Sequence, residues 1–493
     1  MKIWINQLAF DLDGPADETV LRFLRRQGLR GTKEGCASGD CGACTVMLAT
    51  LTPVSSDGRL VDDAYTTFNA CIAPVGQYAG RQLTTVEGLA RGDQLHPAQQ
   101  AMVDCHASQC GYCTPGFVVS LAAMVENSVA GTADDDGMNA DQLRATVEQG
   151  ISGNLCRCTG YRPIVDAGVQ ALAVDHQSWL GVNNTAAPLL PSTVPSTVPS
   201  TPPGVLMPGN LSELAQMRQQ YPEAALIAGG TDLMLAVTQQ YQSMPNMISL
   251  KGVAELQDID VSEAATFIGA AATYRQIELA LGPRSIQLVR LLHRLGSAQI
   301  RYQGTLGGNF GNGSPIADMP PAFMVLDALL VLGNTGVTGE STRRVPVEAF
   351  YRGYREIDLA ADEFIQGVAC ETSVFDDFHR FYKNSKRIED DISSVMGAFR
   401  FCGTPQQLSL ARIAFGGMAA TPVRMPDIEA MLVAGPLDEA LIESVATALV
   451  ERLQPLTDVR ASAGYRLMMA QQMLLRALRE YQGERFIDIT EAV

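Results

Sequence analysis

Nine of the eleven cysteines in this 493-residue chain fall before residue 160, and they fall in short, regular groups. Cys36, Cys41 and Cys44 form C-x4-C-x2-C in "GCASGDCGACTV", and Cys71 follows in "FNACIAP". Cys110 and Cys113 form C-x2-C in "QCGYCTPG", and Cys156 and Cys158 form C-x-C in "LCRCTGYRP". The opening "MKIWINQLAFDLDG" has no basic segment followed by an apolar one, so it reads as an amphipathic strand in a cytoplasmic protein rather than as a secretory signal. Disulfide frameworks belong to oxidising compartments. Clustered cysteines in a cytoplasmic chain point instead to bound metal.

The first group has the spacing of plant-type [2Fe–2S] sites. Four thiolates must converge on two irons, so the loop has to wrap tightly. Gly35, Gly39 and Gly42 allow positive φ and let backbone N–H groups face sulfur. A four-cysteine zinc site is the alternative, although zinc favours paired, closely spaced cysteines. The C-x-C pair is weak evidence alone. Joined to the C-x2-C pair, and just after a ferredoxin-like loop, it reads as a second [2Fe–2S] centre. Arg157 either sets a cation beside that centre or is a solvated surface residue. Cys105 reads as a buried, inert thiol.

The rest of the chain is organised around these groups. Residues 1–82 read as a small α+β domain with a helix at "DETVLRFLRRQG", and 83–178 as a helical domain with helices at "PGFVVSLAAMVEN", "DQLRATVEQGIS" and "YRPIVDAGVQALA". Residues 179–205 include "AAPLLPSTVPSTVPSTPPG", a Pro/Ser/Thr linker that cannot bury a core. Residues 206–385 mix strands ("AALIAGG", "MISLKG", "TFIGAAAT") with helices ("IQLVRLLHRLGS", "PPAFMVLDALLVLG"). Residues 386–493 read as an antiparallel sheet ("VMGAFRF", "LARIAFGGM") closed by two helices. The net charge of −17 with no basic tract argues against nucleic acid or an anionic membrane as partner. No apolar run is long enough to span a bilayer.

Two glycine-rich stretches stand out, "LIAGGTDLM" (226–234) and "GTLGGNFGNGSPIAD" (304–318). Neither carries the G-x-G-x-x-G fingerprint or a phosphate-loop lysine. Each can be a structural turn, or a nest of N–H groups for a diphosphate. Two such loops beside iron–sulfur modules favour a diphosphate-bearing cofactor.

The run from "GTKEGCASGDCGACTV" through "QCGYCTPGF" to "GNLCRCTGYRPI" resembles the iron–sulfur part of the molybdenum hydroxylases, the xanthine dehydrogenase and aldehyde oxidase group. The resemblance implies a multidomain α+β protein. Its parts are a β-grasp ferredoxin-like domain, a helical-bundle [2Fe–2S] domain, a vanillyl-alcohol-oxidase-like FAD domain and a C-terminal α+β flavin-domain cap. It implies that Cys36, Cys41, Cys44 and Cys71 hold one cluster, and that Cys110, Cys113, Cys156 and Cys158 hold the other. Gln109 matches a glutamine that borders the pterin of a molybdenum cofactor carried elsewhere.

Both glycine loops resemble the FAD motifs of the same family. The implied FAD residues are Leu226, Ile227, Ala228, Gly229, Gly230, Thr231, Asp232 and Leu233 in the first loop. In and around the second they are Leu295, Thr305, Leu306, Gly307, Gly308, Asn309, Asn312, Ser314 and Asp318, with Ile365 and Lys383 further on. "RYQGT" stands for the more usual "RNVGT", so Tyr302 departs from the pattern, and a local change beside the flavin is expected. Tyr354 in "FYRGYREIDLAADEFI" matches a tyrosine near the nicotinamide site. In "YKNSKRIEDDISSV", Arg387 matches a family arginine, and Glu389, Asp390 and Asp391 match an acidic loop whose charge bears on NAD or oxygen as acceptor. Ile388 replaces a second arginine found in some members. Without the family, this charge run reads as a solvated loop.

The order of modules resembles the small subunit of a bacterial two-subunit enzyme. The resemblance implies an NAD-dependent oxidoreductase acting with a large subunit that binds the molybdenum cofactor, in an (αβ)2 heterotetramer. Hypoxanthine or xanthine is the expected substrate class, with an aldehyde or N-heterocycle as the alternative. A zinc scaffold without redox activity is the reading from a different class.

Overall fold

The computed structural model describes residues 1–50, 63–129, 139–173, 178–180, 204–334 and 342–486. Residues 181–203, the bulk of the expected linker, lie outside them. The chain divides into two compact units. One holds 1–217, 223–252 and 296–304, and the other holds 218–222, 253–295 and 305–493.

In the first unit, β1 (Lys2–Ile5), β2 (Leu8–Asp11), β3 (Thr45–Ala49), β4 (Tyr65–Asn69) and β5 (Gln82–Thr84) form one sheet in the order β2-β1-β5-β3-β4. β1 runs parallel to β5, and the other pairings are antiparallel. Helix α1 (Val20–Arg26) is capped by Thr19 Oγ1, which accepts from Arg22 N, and buries Val20, Leu21, Phe23 and Leu24. These side chains share a core with Ile3, Ile5, Val46 and Phe68. Each such burial is worth about 1.5–3 kcal/mol.

Four further helices make a bundle: α2 (Pro97–Asp104), α3 (Thr114–Val129), α4 (Ala140–Gly150) and α5 (Arg162–Leu172). Phe117, Val118, Val119, Leu121, Ala122, Ala123 and Val125 of α3 are all buried. Burial nearly all round, Ser120 and Glu126 included, makes it the central helix. Reciprocal capping boxes start α2 (His96 with Gln99) and α4 (Asn139 with Gln142). A three-stranded parallel sheet, Val205–Leu206, Met247–Ser249 and Ala225–Ile227 in that order, completes this unit.

Among the described residues the second unit holds two larger sheets and a two-stranded hairpin, Tyr351–Gly353 with Glu356–Ile357. In the first, Leu329–Asn334 and Ala265–Gly269 both pair antiparallel with the central strand Glu363–Glu371, and Thr342–Pro346 and Ile259–Val261 form the edges. In the second, Phe378–Asn384, Val395–Thr404, Gln407–Gly416 and Val423–Arg424 are antiparallel. Their core is shared with helices Glu439–Arg452 and Ala463–Tyr481. One sequence expectation is corrected here. "PPAFMVLDALLVLG" is not one helix but a helix, Met319–Val325, followed by the strand Leu329–Asn334. Asp327 breaks it with φ of 49°, and its carboxylate is held by Arg400 and Arg412. A continuous apolar run carries no period to tell helix from strand.

Candidate functional site

The first cysteine group lies on the loop between α1 and β3. Gly39 and Gly42 take φ of +87° and +63° there, and Ala37 also has positive φ. Asn69 Nδ2 donates to Gly39 O at 2.7 Å and pins the turn. Backbone N–H groups face sulfur: Cys36 N donates to Cys41 Sγ at 3.3 Å and Ser38 N to Cys36 Sγ at 3.4 Å. The Cys36 thiol lies within hydrogen-bond reach of Cys41 and Cys71, and Cys71 within reach of Cys44. Hydrogen bonds from Cys41 and Cys71 hold Cys36 well below the usual thiol range. The bond to Cys36, then burial, pushes Cys41 far up. The bonds to Cys36 and Cys44, then burial, do the same to Cys71. Four thiolates can share so small a volume only with compensating cations.

The second group joins two inter-helix turns. Cys110 and Cys113 precede α3, and Cys156 and Cys158 lie between α4 and α5. Cys110 pairs with Cys158, and Cys113 with Cys156. Thr159 N donates to Cys156 Sγ at 3.4 Å, and Tyr161 Oη accepts from Cys156 N at 2.9 Å. Burial, then Cys156, pushes Cys113 up to about 12. Gly160 and Tyr161 both take φ of 69°, which turns the chain into α5. Cys110 and Cys158 are exposed, as are Gln109 and Arg157. Cys105 is not buried as expected: it is partly exposed at the end of α2, where its thiol donates to Gln170 Oε1 at 3.2 Å.

The first quartet thus brings its four sulfurs into one connected group and the second sets its sulfurs in two pairs, each with N–H groups aimed at sulfur, which fits a two-iron cluster. Among the described residues no three or more His, Cys, Asp or Glu side chains are grouped to hold a single metal ion.

The loops that carry the quartets touch. Leu155 N donates to Cys41 O at 3.0 Å, and Asn154 Nδ2 to Gly42 O at 3.0 Å. A Cβ on Gly42 would lie 2.2 Å from Gly153 O, so glycine is required for this approach.

The first glycine loop follows strand Ala225–Ile227 in the first unit. Gly230 has φ of +76°, and a Cβ on Gly229 would lie 2.1 Å from Gln303 O. Gln77 Nε2 donates to Ala228 O at 3.0 Å and to Ser249 Oγ at 2.9 Å, fixing the start of the loop. Asp232 is exposed, and Thr231 and Leu233 are partly exposed. From Thr305 onward the second loop belongs to the second unit. Thr305 Oγ1 accepts from Gly308 N at 3.2 Å at the head of helix Leu306–Gly311. Gly307 N donates to Ala270 O, and a Cβ on Gly307 would lie 2.5 Å from Ala270 Cβ. Asn309 Oδ1 is buried with no hydrogen-bond partner among the described residues. A missing bond to a buried acceptor is what a bound group would supply. Asn312 ends the helix, and Ser314 Oγ accepts from Ile316 N.

Further along this unit, Lys383 Nζ donates to Asp318 Oδ2 at 2.7 Å and Ser393 Oγ to Asp318 Oδ1 at 2.5 Å, all three residues being buried. Ile365 is buried on the central strand, and Leu295 is partly buried at the end of helix Ile286–Leu295. Tyr354 is 67% exposed on a short hairpin. In the acidic loop, Asp391 Oδ2 accepts from Arg387 N at 2.9 Å, and Arg294 Nε donates to Ile388 O at 3.1 Å. Burial alone would raise the Asp391 carboxyl, but the N–H groups of Arg387 and Ile392 hold it below its usual range. Tyr302 lies in the first unit, and its hydroxyl donates to Asp63. Sequence reasoning missed Asn154, Gln299 and Ser393. Asn154 sits inside the quoted "GNLCRCTG", whereas Gln299 carries no local signal.

With this geometry in place, comparison with known proteins defines the class. Residues 5–76 match the family described as 2Fe-2S iron-sulfur cluster binding domain, and 85–169 match the [2Fe-2S] binding domain. Residues 201–370 match the FAD binding domain in molybdopterin dehydrogenase, and 380–481 the CO dehydrogenase flavoprotein C-terminal domain. The chain is therefore a multidomain α+β iron–sulfur flavoprotein. It belongs to the molybdenum hydroxylase family and corresponds to the iron–sulfur and FAD portion of its members. It is 31% identical over 492 residues to xanthine dehydrogenase of Drosophila subobscura, covering 88% of this chain and 35% of that protein. It is 28% identical over 497 residues to xanthine dehydrogenase/oxidase of Rattus norvegicus, covering 89% and 36%. The chain spans about a third of the length of these relatives. Among solved structures, quinoline 2-oxidoreductase from Pseudomonas putida 86 superposes with a TM-score of 0.52 at 25% identity, covering 57% of this chain and 96% of that one. A carbon monoxide dehydrogenase chain from Hydrogenophaga pseudoflava gives 0.53 at 24%, covering 57% and 96%, and shows the shared fold. Among the described residues no helix is long and apolar enough to cross a membrane.

Proposed function

We propose that this chain is the electron-transfer subunit of a xanthine dehydrogenase. In this reading, electrons from substrate oxidation on a molybdenum-binding large subunit enter at the Cys110/Cys113/Cys156/Cys158 site. They pass to the Cys36/Cys41/Cys44/Cys71 site and end on FAD. Held at these sites, the clusters would supply one-electron carriers and the flavin a two-electron store from which NAD could be reduced. The observation that carries the reading is the single hydrogen bond from Leu155 N to Cys41 O. It joins the neighbour of one candidate ligand directly to another ligand's own carbonyl.

The chain's residues have distinct parts in this scheme. The Cys110–Cys158 edge is open to solvent, as an entry point must be, while Cys44 and Cys71 are buried. N–H groups aimed at Cys36, Cys41 and Cys156 stabilise added negative charge at sulfur. The loops 226–233 and 305–309, with Asn312, Ser314, Asp318, Ile365, Leu295 and Lys383, are the proposed FAD ligands. The Asn309 Oδ1 that has no partner among the described residues supports this. Tyr354, Asp390 and Asp391 are assigned to the NAD side and Gln109 to the pterin side. An (αβ)2 assembly and a cytoplasmic location complete the reading.

A second substrate class, an N-heterocycle or aldehyde, is favoured by the likeness to quinoline 2-oxidoreductase. The test is to purify the chain with its natural partner and assay NAD reduction with xanthine, with an aldehyde and with an N-heterocycle. Xanthine-dependent NAD reduction supports the proposal. Turnover only with another substrate moves it to the second class.

A further inference from the structure

Asn154 is 2% exposed, and its side-chain amide makes four hydrogen bonds to three separate stretches of the first unit. Nδ2 donates to Gly42 O at 3.0 Å and to Thr45 Oγ1 at 3.2 Å. Oδ1 accepts from Ser120 Oγ at 2.8 Å and from Gln299 Nε2 at 3.0 Å. Gly42 belongs to the loop of the first cysteine quartet, Thr45 opens β3 at the end of that loop, and Ser120 lies on the central helix α3, which begins just after Cys113. Asn154 itself stands two residues before Cys156. Gln299 comes from the range matched to the FAD-binding family, yet it packs in the first unit and is fully buried. Its Nε2 also reaches Thr45 Oγ1 and Ser120 Oγ, each at 3.3 Å.

The backbone around this amide is built for close approach. A Cβ on Gly116 would lie 2.2 Å from Gly42 O, and one on Gly153 would lie 2.2 Å from Gln299 Oε1. Three glycines therefore let three chain segments meet at one buried side chain. The next residue, Leu155, makes the bond to Cys41 O. The loops are thus tied at two consecutive carbonyls, Cys41 by a backbone donor and Gly42 by Asn154.

We propose that Asn154, braced by Gln299, is a positioning residue that sets the separation and relative orientation of the two iron–sulfur centres. This rests on the electron-transfer reading above. A leucine at 154 keeps a similar volume but removes both donors and both acceptor bonds, taking from Ser120 its acceptor and from Gln299 the shortest of its three, so that only the 3.3 Å contacts to Thr45 and Ser120 remain. The loops then lose one of their two ties, and the register of the Leu155–Cys41 bond is no longer enforced.

The experiment uses the full chain, reduced anaerobically and examined by low-temperature electron paramagnetic resonance. Magnetic interaction between two reduced clusters depends steeply on their separation and orientation, so it reads geometry rather than activity. The expected result for Asn154→Leu is full iron and sulfide content with the wild-type intercluster interaction lost or plainly altered. An unchanged interaction at full iron content overturns the proposal. If Asn154→Leu does not hold both clusters, Gln299→Leu decides: an altered interaction supports the proposal and an unchanged one overturns it. A wild-type chain without two [2Fe–2S] signals would refute the functional reading itself. Two wild-type signals with unmoved variants sink only the positioning role.

Discussion

Cys156 and Cys158 show how far single residues could be read. C-x-C alone says little, but the structure sets Cys156 against Cys113 and Cys158 against Cys110. Cys158→Ser should therefore remove one of two [2Fe–2S] resonance signals and leave the other; two unchanged signals would contradict the assignment. Gly42 makes a sharper test of the loop contact. With φ of +63° and Gly153 O only 2.2 Å from where a Cβ would sit, Gly42→Ala strains both loops at once. We expect a loss of about 1–3 kcal/mol. It should appear as a lower denaturation midpoint followed through the iron–sulfur absorbance, and a variant as stable as wild type would count against the contact. The cysteines and glycines were legible because metal ligation and positive φ admit few residue types. Asn154 was not, because a buried amide earns its role from partners far away in sequence. Tyr302 was legible as a departure from pattern, but its partner Asp63 was not.

At the scale of elements, the capped and periodic helices were legible, and the failure came where periodicity was absent, at Met319–Asn334. One element-level device had no sequence signal at all. Glu126, near the end of α3, accepts from Ser178 Oγ, Trp179 N and Leu180 N and lies 3.2 Å from His96 Nε2. His96 Nδ1 accepts from Ala98 N, so Nε2 carries the hydrogen that faces the carboxylate. The pair thus caps α2 and fastens residues 178–180 to the bundle. Glu126→Ala should destabilise this unit by on the order of 3 kcal/mol. It should also speed limited proteolysis near Trp179, and unchanged cleavage would contradict the clasp. Burial by itself raises the Glu126 carboxyl, but His96 and the three other donors hold it below its usual 4.5. A depressed folded-state value means the stabilisation is complete above about 4.5 and is lost as pH falls through the lower folded value. Thermal melting of the wild type should therefore fall more steeply than that of Glu126→Gln as pH drops below about 4.5. Parallel curves would argue against a linked carboxylate.

For the whole molecule, the order of modules was readable from motifs, since each cofactor class demands its own residue pattern. Packing was not. Residues 296–304 lie within the range matched to the FAD-binding family, yet they belong to the compact unit that holds both cysteine quartets. Hydrogen bonds from Gln299 to Asn154 and from Gln303 to Tyr78 hold that segment there. In the proposed function, one chain carries two one-electron centres and a two-electron flavin. An anaerobic redox titration of the purified chain, followed together by visible absorption and electron paramagnetic resonance, tests this most directly. Two distinct [2Fe–2S] signals, each taking one electron, and a flavin taking two are expected. A colourless zinc-containing protein, or a chain with a single cluster, would contradict the proposal.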